Sequence, residues 1–140
     1  MPLDVDEIMA TAQQLLPDEL LLARAWLTKH RADYSSAVIN MLVGAGFDPG
    51  PSYPDIIRAM SRRVTKRRID IVAYDGLQPT LIELKDRIGL SAIGQLLTYK
   101  TLYLALNPLS PVPRLLAVGH DLGPDVTTGL LEYGIFWELL

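Results

Sequence analysis

The chain has 140 residues, of which 49% are apolar and 21% charged, and its formal net charge is −3. These values predict one globular domain over 1–140 with its own core, and they argue against a protein that coats nucleic acid. The sequence contains no cysteine, which excludes disulfides, thiolate metal sites and a cysteine nucleophile. The acidic start and the lack of an early apolar run long enough to cross a bilayer predict a cytoplasmic protein with no membrane contact.

The first third of the chain has apolar residues at helical spacing. Helices are predicted over 4–16 and 17–30, the second opening on a proline at a favourable first position. A third helix is predicted over 34–47, where the apolar pattern runs into two glycines. The first two helices are expected to form an N-terminal extension, 1–31, to a core that spans 35–140.

The rest of the chain predicts strands followed by alternating helices and strands. The predicted strands are 56–60, 69–74, 80–85, 114–118 and 135–140, and the predicted helices are 91–106 and 125–133. This order predicts an α/β fold in which helices flank both faces of a mixed sheet.

A basic run, "RRVTKRR", is predicted to form the turn between the first two strands. Its five basic residues are Arg62, Arg63, Lys66, Arg67 and Arg68. Such a run is commonly the solvated tip of a hairpin. The alternative is a surface that binds the phosphates of a nucleic acid.

Two apolar strands carry charge where a core is expected. Glu83 and Lys85 share one face of their strand because side chains alternate, and Asp70 lies within the preceding strand. If the strands are neighbours, the two carboxylates converge, and burial raises their pKa unless a cation is near. Mg²⁺ or Mn²⁺ bound by oxygen ligands would relieve this repulsion. The alternative is an exposed strand face with a surface ion pair worth at most about 1 kcal/mol.

The helix that follows adds a second polar pattern, because Gln95 and Tyr99 lie four residues apart and share one helix face. This order of Asp70, Glu83-Leu84-Lys85 and Gln95-x-x-x-Tyr99 resembles the PD-(D/E)xK nuclease superfamily and its RecB-type branch. The resemblance implies a restriction-endonuclease-like three-layer sandwich with extra N-terminal helices.

The same resemblance implies roles for these residues in phosphodiester hydrolysis. Asp70, Glu83 and the carbonyl of Leu84 would bind the metal, and Lys85 would position the attacking water. Gln95 and Tyr99 would orient the catalytic groups or the nucleic acid backbone.

The match departs from the family on the helix before the first core strand. An acidic residue or a histidine is usual there, and the predicted helix 34–47 offers only Ser35 near the expected place. His30, Asp33 and Glu19 are candidate substitutes, and His30 is the preferred metal ligand by its chemistry.

The expected function is therefore that of a metal-dependent nuclease acting on DNA rather than RNA, as a homodimer or with a protein partner. The N-terminal helices are the expected interface, since amphipathic helices outside a core must bury their apolar side. Two alternatives remain open. One is a nuclease-fold subunit that binds nucleic acid or assembles without cleaving, and the other is an interaction module whose charges are accidental.

Overall fold

A computed structural model describes residues 1–12 and 15–140 of the chain. The helices are α1 (Val5–Met9), α2 (Pro17–Lys29), α3 (Asp55–Thr65), α4 (Leu90–Leu106) and α5 (Val126–Glu132). The strands are β1 (Ser36–Val43), β2 (Arg67–Asp75), β3 (Gln78–Leu84), β4 (Arg87–Ile88), β5 (Arg114–Gly119), β6 (Asp121–Leu122) and β7 (Phe136–Leu139). None of the helices in the described ranges is both long and apolar enough to cross a membrane.

The central element is a five-stranded sheet in the order β1-β2-β3-β5-β7. β1 and β3 both run antiparallel to β2, whereas β5 is parallel to β3 and β7 is parallel to β5. Short strands β4 and β6 form a separate parallel pair. The parallel connections are made through α4 and α5, as the alternation of helix and strand in the second half predicted.

Helices cover both faces of this sheet, so its inner strands are apolar on both sides. On one face, α4 and α5 pack through Leu96, Tyr103 and Leu130 against Val72 and Leu81. On the other face, the N-terminal helices pack against β2, β3 and β5. The buried residues of this second layer include Leu22, Trp26, Leu27, Ile71, Ile82 and Val118. The predicted α/β sandwich with a mixed sheet is confirmed.

The N-terminal helices form one of these two layers. Leu22, Ala23, Trp26 and Leu27 of α2 are at most 2% exposed. The apolar side that was expected to be available to a partner is therefore buried within the chain. Residues 13 and 14 of the predicted helix 4–16 lie outside the described residues, and α1 covers Val5–Met9 of it.

Two of the sequence-based assignments are wrong, and both fall between α2 and β2. The segment predicted as a helix over 34–47 contains β1, and the segment predicted as a strand over 56–60 belongs to α3. In β1, pairing with β2 along one edge overrides an apolar pattern that suits a helix. In α3, the apolar residues recur every three or four positions, and a short apolar run cannot distinguish the two structures.

The burial of α2 predicts unequal effects of two leucine substitutions on the same helix. Leu27→Ala removes a side chain with no exposed surface and should lower the free energy of unfolding by about 2–5 kcal/mol. Leu21→Ala, at a position that is 71% exposed, should change it by less than about 0.5 kcal/mol. Urea denaturation followed by circular dichroism measures both. Equal, small effects would contradict the place of α2 in the core.

Candidate active site

The candidate site lies where β2 and β3 separate. Their backbone pairing extends from the turn only as far as Ile71 and Ile82, one residue short of Asp70 and Glu83. Beyond this point, the carboxylate of Asp70 accepts a hydrogen bond of 2.8 Å from the backbone N–H of Leu84. The Asp70 side chain thus accepts the hydrogen bond that a backbone carbonyl of β2 would accept in a regular strand pair. This contact brings Asp70 close to Glu83.

The same position is irregular on the other side of β2. Ile39 and Ile71 face the α2 layer, whereas Met41 and Ile69 face the α4 layer, although the register of the two strands is unchanged. Side chains two residues apart therefore point to opposite faces of the sheet across Asn40 in β1 and across Asp70 in β2. These two residues lie opposite each other. Asn40 has φ 57°, in the left-handed region that asparagine tolerates better than most residues. Sequence analysis missed Asn40, and the only signal was an amide within the apolar run "AVINMLV".

Burial dominates the chemistry of the two carboxylates. Glu83 is 3% exposed; burial and the charge of Asp70 raise its pKa, and Lys85 opposes this rise. Burial also raises the pKa of Asp70, and the charge of Glu19 adds to this rise. The hydrogen bond from Leu84 lowers the same pKa but does not cancel the rise. Without a bound metal ion, and although Lys85 partly offsets the effect, the pair therefore retains a proton above the pH at which carboxyl groups normally lose it.

Lys85 follows β3 directly, and its ammonium lies 3.4 Å from Oε1 of Glu83. The side chain of Lys85 is 30% exposed and that of Glu83 is 4% exposed. The lysine therefore contacts the buried acid on one side and solvent on the other. The strand alternation had predicted this shared face.

Tyr99 of α4 lies near enough to the same carboxylates to feel their charges, and Gln95 lies beside it, one turn earlier on the helix. Burial and the negative charges of Glu83 and Asp70 raise the pKa of Tyr99 to about 12. The hydroxyl consequently stays protonated at neutral pH and can donate a hydrogen bond. Gln95, Tyr99 and Arg67 line a cleft of about 180 Å³ together with Gly94 and Thr98.

The basic run does not form the predicted turn between two strands. Arg62 and Arg63 lie in the last turn of α3, Lys66 follows that helix, and Arg67 and Arg68 begin β2. Arg62 forms an ion pair of 3.2 Å with Asp48. Arg67 is the member of the run that lines the cleft.

His30 does not join the carboxylate pair in the structure. Its two ring nitrogens lie 2.8 Å from Asp33 and 2.9 Å from Glu138, and its ring stacks on Trp26 at 4.8 Å between centroids. These contacts connect α2 to the last strand. They engage both of the atoms with which the histidine could bind a metal.

Ser35 and Glu19 are also placed differently from the sequence-based expectation. Ser35 is not on a helix: its hydroxyl donates to the carbonyl of Tyr74 and accepts from the N–H of Gly76, at the β2–β3 turn. The helix before the first core strand is α2, and Glu19 in its first turn accepts a hydrogen bond from the N–H of Leu16. Because its charge raises the pKa of Asp70, Glu19 is the candidate substitute that the fold brings toward the site.

The donor set suits a hard divalent cation. Apart from a proton shared with Asp70, the buried Glu83 Oε2 has no hydrogen-bond partner among the described residues, and both carboxylates have raised pKa values. The described ranges contain no group of three or more histidine, aspartate or glutamate side chains arranged to bind a metal. Two carboxylates are nevertheless a usual protein contribution to Mg²⁺, whose other ligands are commonly waters and phosphate oxygens.

Two solved structures are similar in fold to most or part of this chain. The structure of the EndoMS–dsDNA2 complex superposes with a TM-score of 0.52 at 14% identity, over 93% of this chain and 47% of that chain. A repair endonuclease from Pyrococcus abyssi gives a TM-score of 0.46 at 21% identity, over 53% of this chain and 33% of that chain. The chain thus spans about half of one neighbour and a third of the other. No protein-family model and no curated protein sequence matches it. At this identity, the similarity to the EndoMS structure supports the fold alone.

The raised pKa of Glu83 predicts that the metal-free protein loses stability as the pH rises. Above the usual carboxyl range, the unfolded chain releases a proton that the folded chain keeps, so the free energy of unfolding falls until the pKa of folded Glu83, about 8, is reached. Between about pH 5 and pH 8 we expect a fall on the order of 1–3 kcal/mol. Thermal unfolding in EDTA across this range measures it.

Glu83→Gln should reduce this fall, because the amide imitates the protonated acid. Glu132→Gln, at an exposed residue of α5, is the matched control and should leave the pH profile unchanged. Mn²⁺ should raise the unfolding temperature of the parent more at pH 8 than at pH 5, and should not do so for Glu83→Gln. A parent profile that is flat in EDTA would contradict the assignment of a buried, proton-retaining pair.

Proposed function

We propose that the protein is a metal-dependent nuclease of the PD-(D/E)xK type that hydrolyses phosphodiester bonds in DNA. The observation that carries this proposal is the buried pair Asp70 and Glu83, with Lys85 3.4 Å from the second acid, at the point where β2 and β3 separate. A purely structural role would not require two acids to share a site that raises the pKa of both.

Asp70 and Glu83 would bind Mg²⁺ or Mn²⁺, with the carbonyl of Leu84 and Glu19 as further candidate ligands. The cation, when bound, would polarise the phosphate and lower the pKa of water. Lys85 would orient the attacking water, since its ammonium is anchored by Glu83 and still reaches solvent. The reaction adds this water to phosphorus and breaks one phosphodiester P–O bond.

Gln95, Tyr99 and Arg67 would position the scissile strand. The Tyr99 hydroxyl remains a hydrogen-bond donor at neutral pH because its pKa is about 12. Gln95 Oε1 is buried without a partner among the described residues, and the amide of the same side chain interacts with the Tyr99 hydroxyl. The guanidinium of Arg67 can contact a phosphate at the same place. This Gln-x-x-x-Tyr arrangement supports the RecB-type branch.

DNA is the proposed substrate. The fold resembles EndoMS, whose structure was determined in complex with double-stranded DNA. The basic residues Arg63, Lys66, Arg67 and Arg68 lie on the segment that leads into the cleft and could bind the phosphate backbone.

Cleavage of labelled single-stranded DNA, double-stranded DNA and RNA tests the proposal in Mg²⁺, Mn²⁺ or EDTA. The parent should cut DNA only with a metal. Glu83→Gln should lower the rate by at least about 100-fold, because a ligand that supports charge in the transition state is lost. Lys85→Ala should lower it by about 10²–10⁴-fold.

Glu132→Gln is the control and should retain the activity of the parent. Cleavage that survives both Glu83→Gln and Lys85→Ala would refute the assigned site. DNA binding without cleavage in any metal would favour the alternative of a silent nuclease-fold subunit. The absence of both would favour an interaction module.

The basic segment can be tested separately in the Glu83→Gln background, which prevents cleavage. Arg67→Ala combined with Arg68→Ala should weaken DNA binding and reduce the slope of log K against log salt by about 0.9 per lost phosphate contact. The matched control, Arg24→Ala with Arg31→Ala, removes the same charge from the N-terminal region. Equal losses from the two double variants would argue for attraction by general charge alone. Fluorescence anisotropy across a salt series measures the slope.

A further inference from the structure

Two non-glycine residues of the described ranges, Asn40 and Asp125, have a left-handed backbone. Asp125 precedes α5, where a chain commonly changes direction, whereas Asn40 lies inside β1. A left-handed residue interrupts the extended conformation of a strand, so the alternation of side chains does not continue through it. Strain of this kind persists only where the surrounding structure imposes it, and it concentrates at functional sites.

The change of face at Asn40 is passed from β1 to β2. Residues directly opposite each other in an antiparallel pair point to the same face of the sheet. Ile39 lies in the α2 layer opposite Ile71, and Val43 lies in the α4 layer opposite Arg67. Ile39 and Val43 are four residues apart, so a regular strand would place both in one layer. The face to which Arg67 points is therefore set across the strand pair, at the position where β1 changes face.

This change of face brings Arg67 and Asp70 to one cleft. The two residues are three apart in β2, and regular alternation would point them to opposite faces. Arg67 nevertheless lines the cleft with Gln95 and Tyr99, and the charges of both Arg67 and Asp70 reach the Tyr99 hydroxyl. The irregularity opposite Asp70 therefore explains how a cation and an acid at an odd spacing share one cleft.

The backbone of Asn40 matters more than its amide. Nδ2 of Asn40 is buried and has no hydrogen-bond partner among the described residues. An unpartnered buried amide destabilises a fold, so hydrogen bonding by this nitrogen does not account for an asparagine here. Its backbone does, because asparagine and aspartate are the residues that adopt the left-handed region most readily after glycine. Aspartate would add a negative charge opposite Asp70.

We propose that Asn40 is a positioning residue for the cleft: its left-handed backbone turns the end of β1, and Arg67 opposite that end, toward α4. Arg67 can then hold a phosphate beside Asp70 and Glu83. The placement of Arg67 is a property of the fold, whereas its use in binding DNA rests on the proposed nuclease function.

Cross-linking tests the placement of Arg67 without any substrate. Since the chain has no cysteine, Arg67→Cys with Thr98→Cys puts two thiols on the same cleft, and a short bis-maleimide should link them within one chain. Asn40→Gly should leave this reaction intact, because glycine adopts the left-handed conformation freely. Asn40→Val should lower its rate by at least about tenfold, because a β-branched residue favours extended backbone and position 67 would turn to the other face. Mass spectrometry of the digested chain measures the linked product.

Two further variants separate the placement of Arg67 from a general loss of folding. Asn40→Ala introduces less strain than a β-branched side chain and should give an intermediate rate. Val38→Thr changes an exposed residue of the same strand and should leave the rate unchanged. All variants are compared at a temperature where their circular dichroism spectra match that of the parent.

A double-mutant cycle relates this placement to DNA binding in the Glu83→Gln background. Arg67→Ala should weaken binding on the order of tenfold when position 40 is unchanged or carries Asn40→Gly, because a phosphate contact is lost. Combined with Asn40→Val, Arg67→Ala should have little further effect, because the arginine has already left the cleft. Fluorescence anisotropy at one fixed salt concentration measures these affinities.

Two results would overturn the proposal. Undiminished cross-linking in Asn40→Val, or in Asn40→Ala should Asn40→Val fail to fold, would mean that the fold turns β1 whatever residue stands there. Loss of cross-linking in Asn40→Gly would assign the role to the amide. Cross-linking in the expected order supports the proposal, and if no variant then binds DNA, the placement stands while the nuclease assignment fails.

Discussion

The hydrogen bond from the backbone N–H of Leu84 to the carboxylate of Asp70 is the interaction on which the site depends. It replaces a rung of the β2–β3 ladder at the point where that ladder ends. The separation stays local because the other edge of β3 remains paired, with Glu83 opposite Ala117 and the N–H of Lys85 donating to Val118. A regular antiparallel pair would have no gap here. The sheet therefore brings an acid from each of two strands together without losing the core on either side.

Such an arrangement has a cost, because burying two carboxylates with one partly exposed lysine leaves their charges incompletely balanced. The structure partly offsets the cost by keeping the pair protonated, as the raised pKa values of Asp70 and Glu83 indicate. Under the proposed function, a divalent cation would replace that proton. The same imbalance would then account for both the pH-dependent stability of the metal-free protein and its affinity for metal.

Local rules predicted which candidate residues share a face, whereas their proposed catalytic roles came from the resemblance to PD-(D/E)xK nucleases. Strand alternation placed Glu83 and Lys85 on one face, and helical spacing placed Gln95 and Tyr99 together. The secondary-structure prediction was wrong in the region between α2 and β2. The alternation of side chains in β1 changes face at Asn40, so its sequence lacks the regular pattern of a strand. In α3, the apolar run was short enough to be mistaken for a strand. Because β1 was predicted to be a helix, the acid that the resemblance implies was expected near Ser35 and not on α2. Glu19 is near enough for its charge to raise the pKa of Asp70, and this approach follows from packing between distant segments, which periodicity does not encode.

The segment with these errors also leads directly into the cleft. Helix α3 ends at Thr65 and β2 begins at Arg67, so only Lys66 separates the helix from a residue that lines the cleft. Arg67 in turn contributes to the electrostatic environment of Tyr99, lowering its pKa against the effect of burial. Because the connection is one residue long, the placement of α3 also determines where Arg67 enters the cleft.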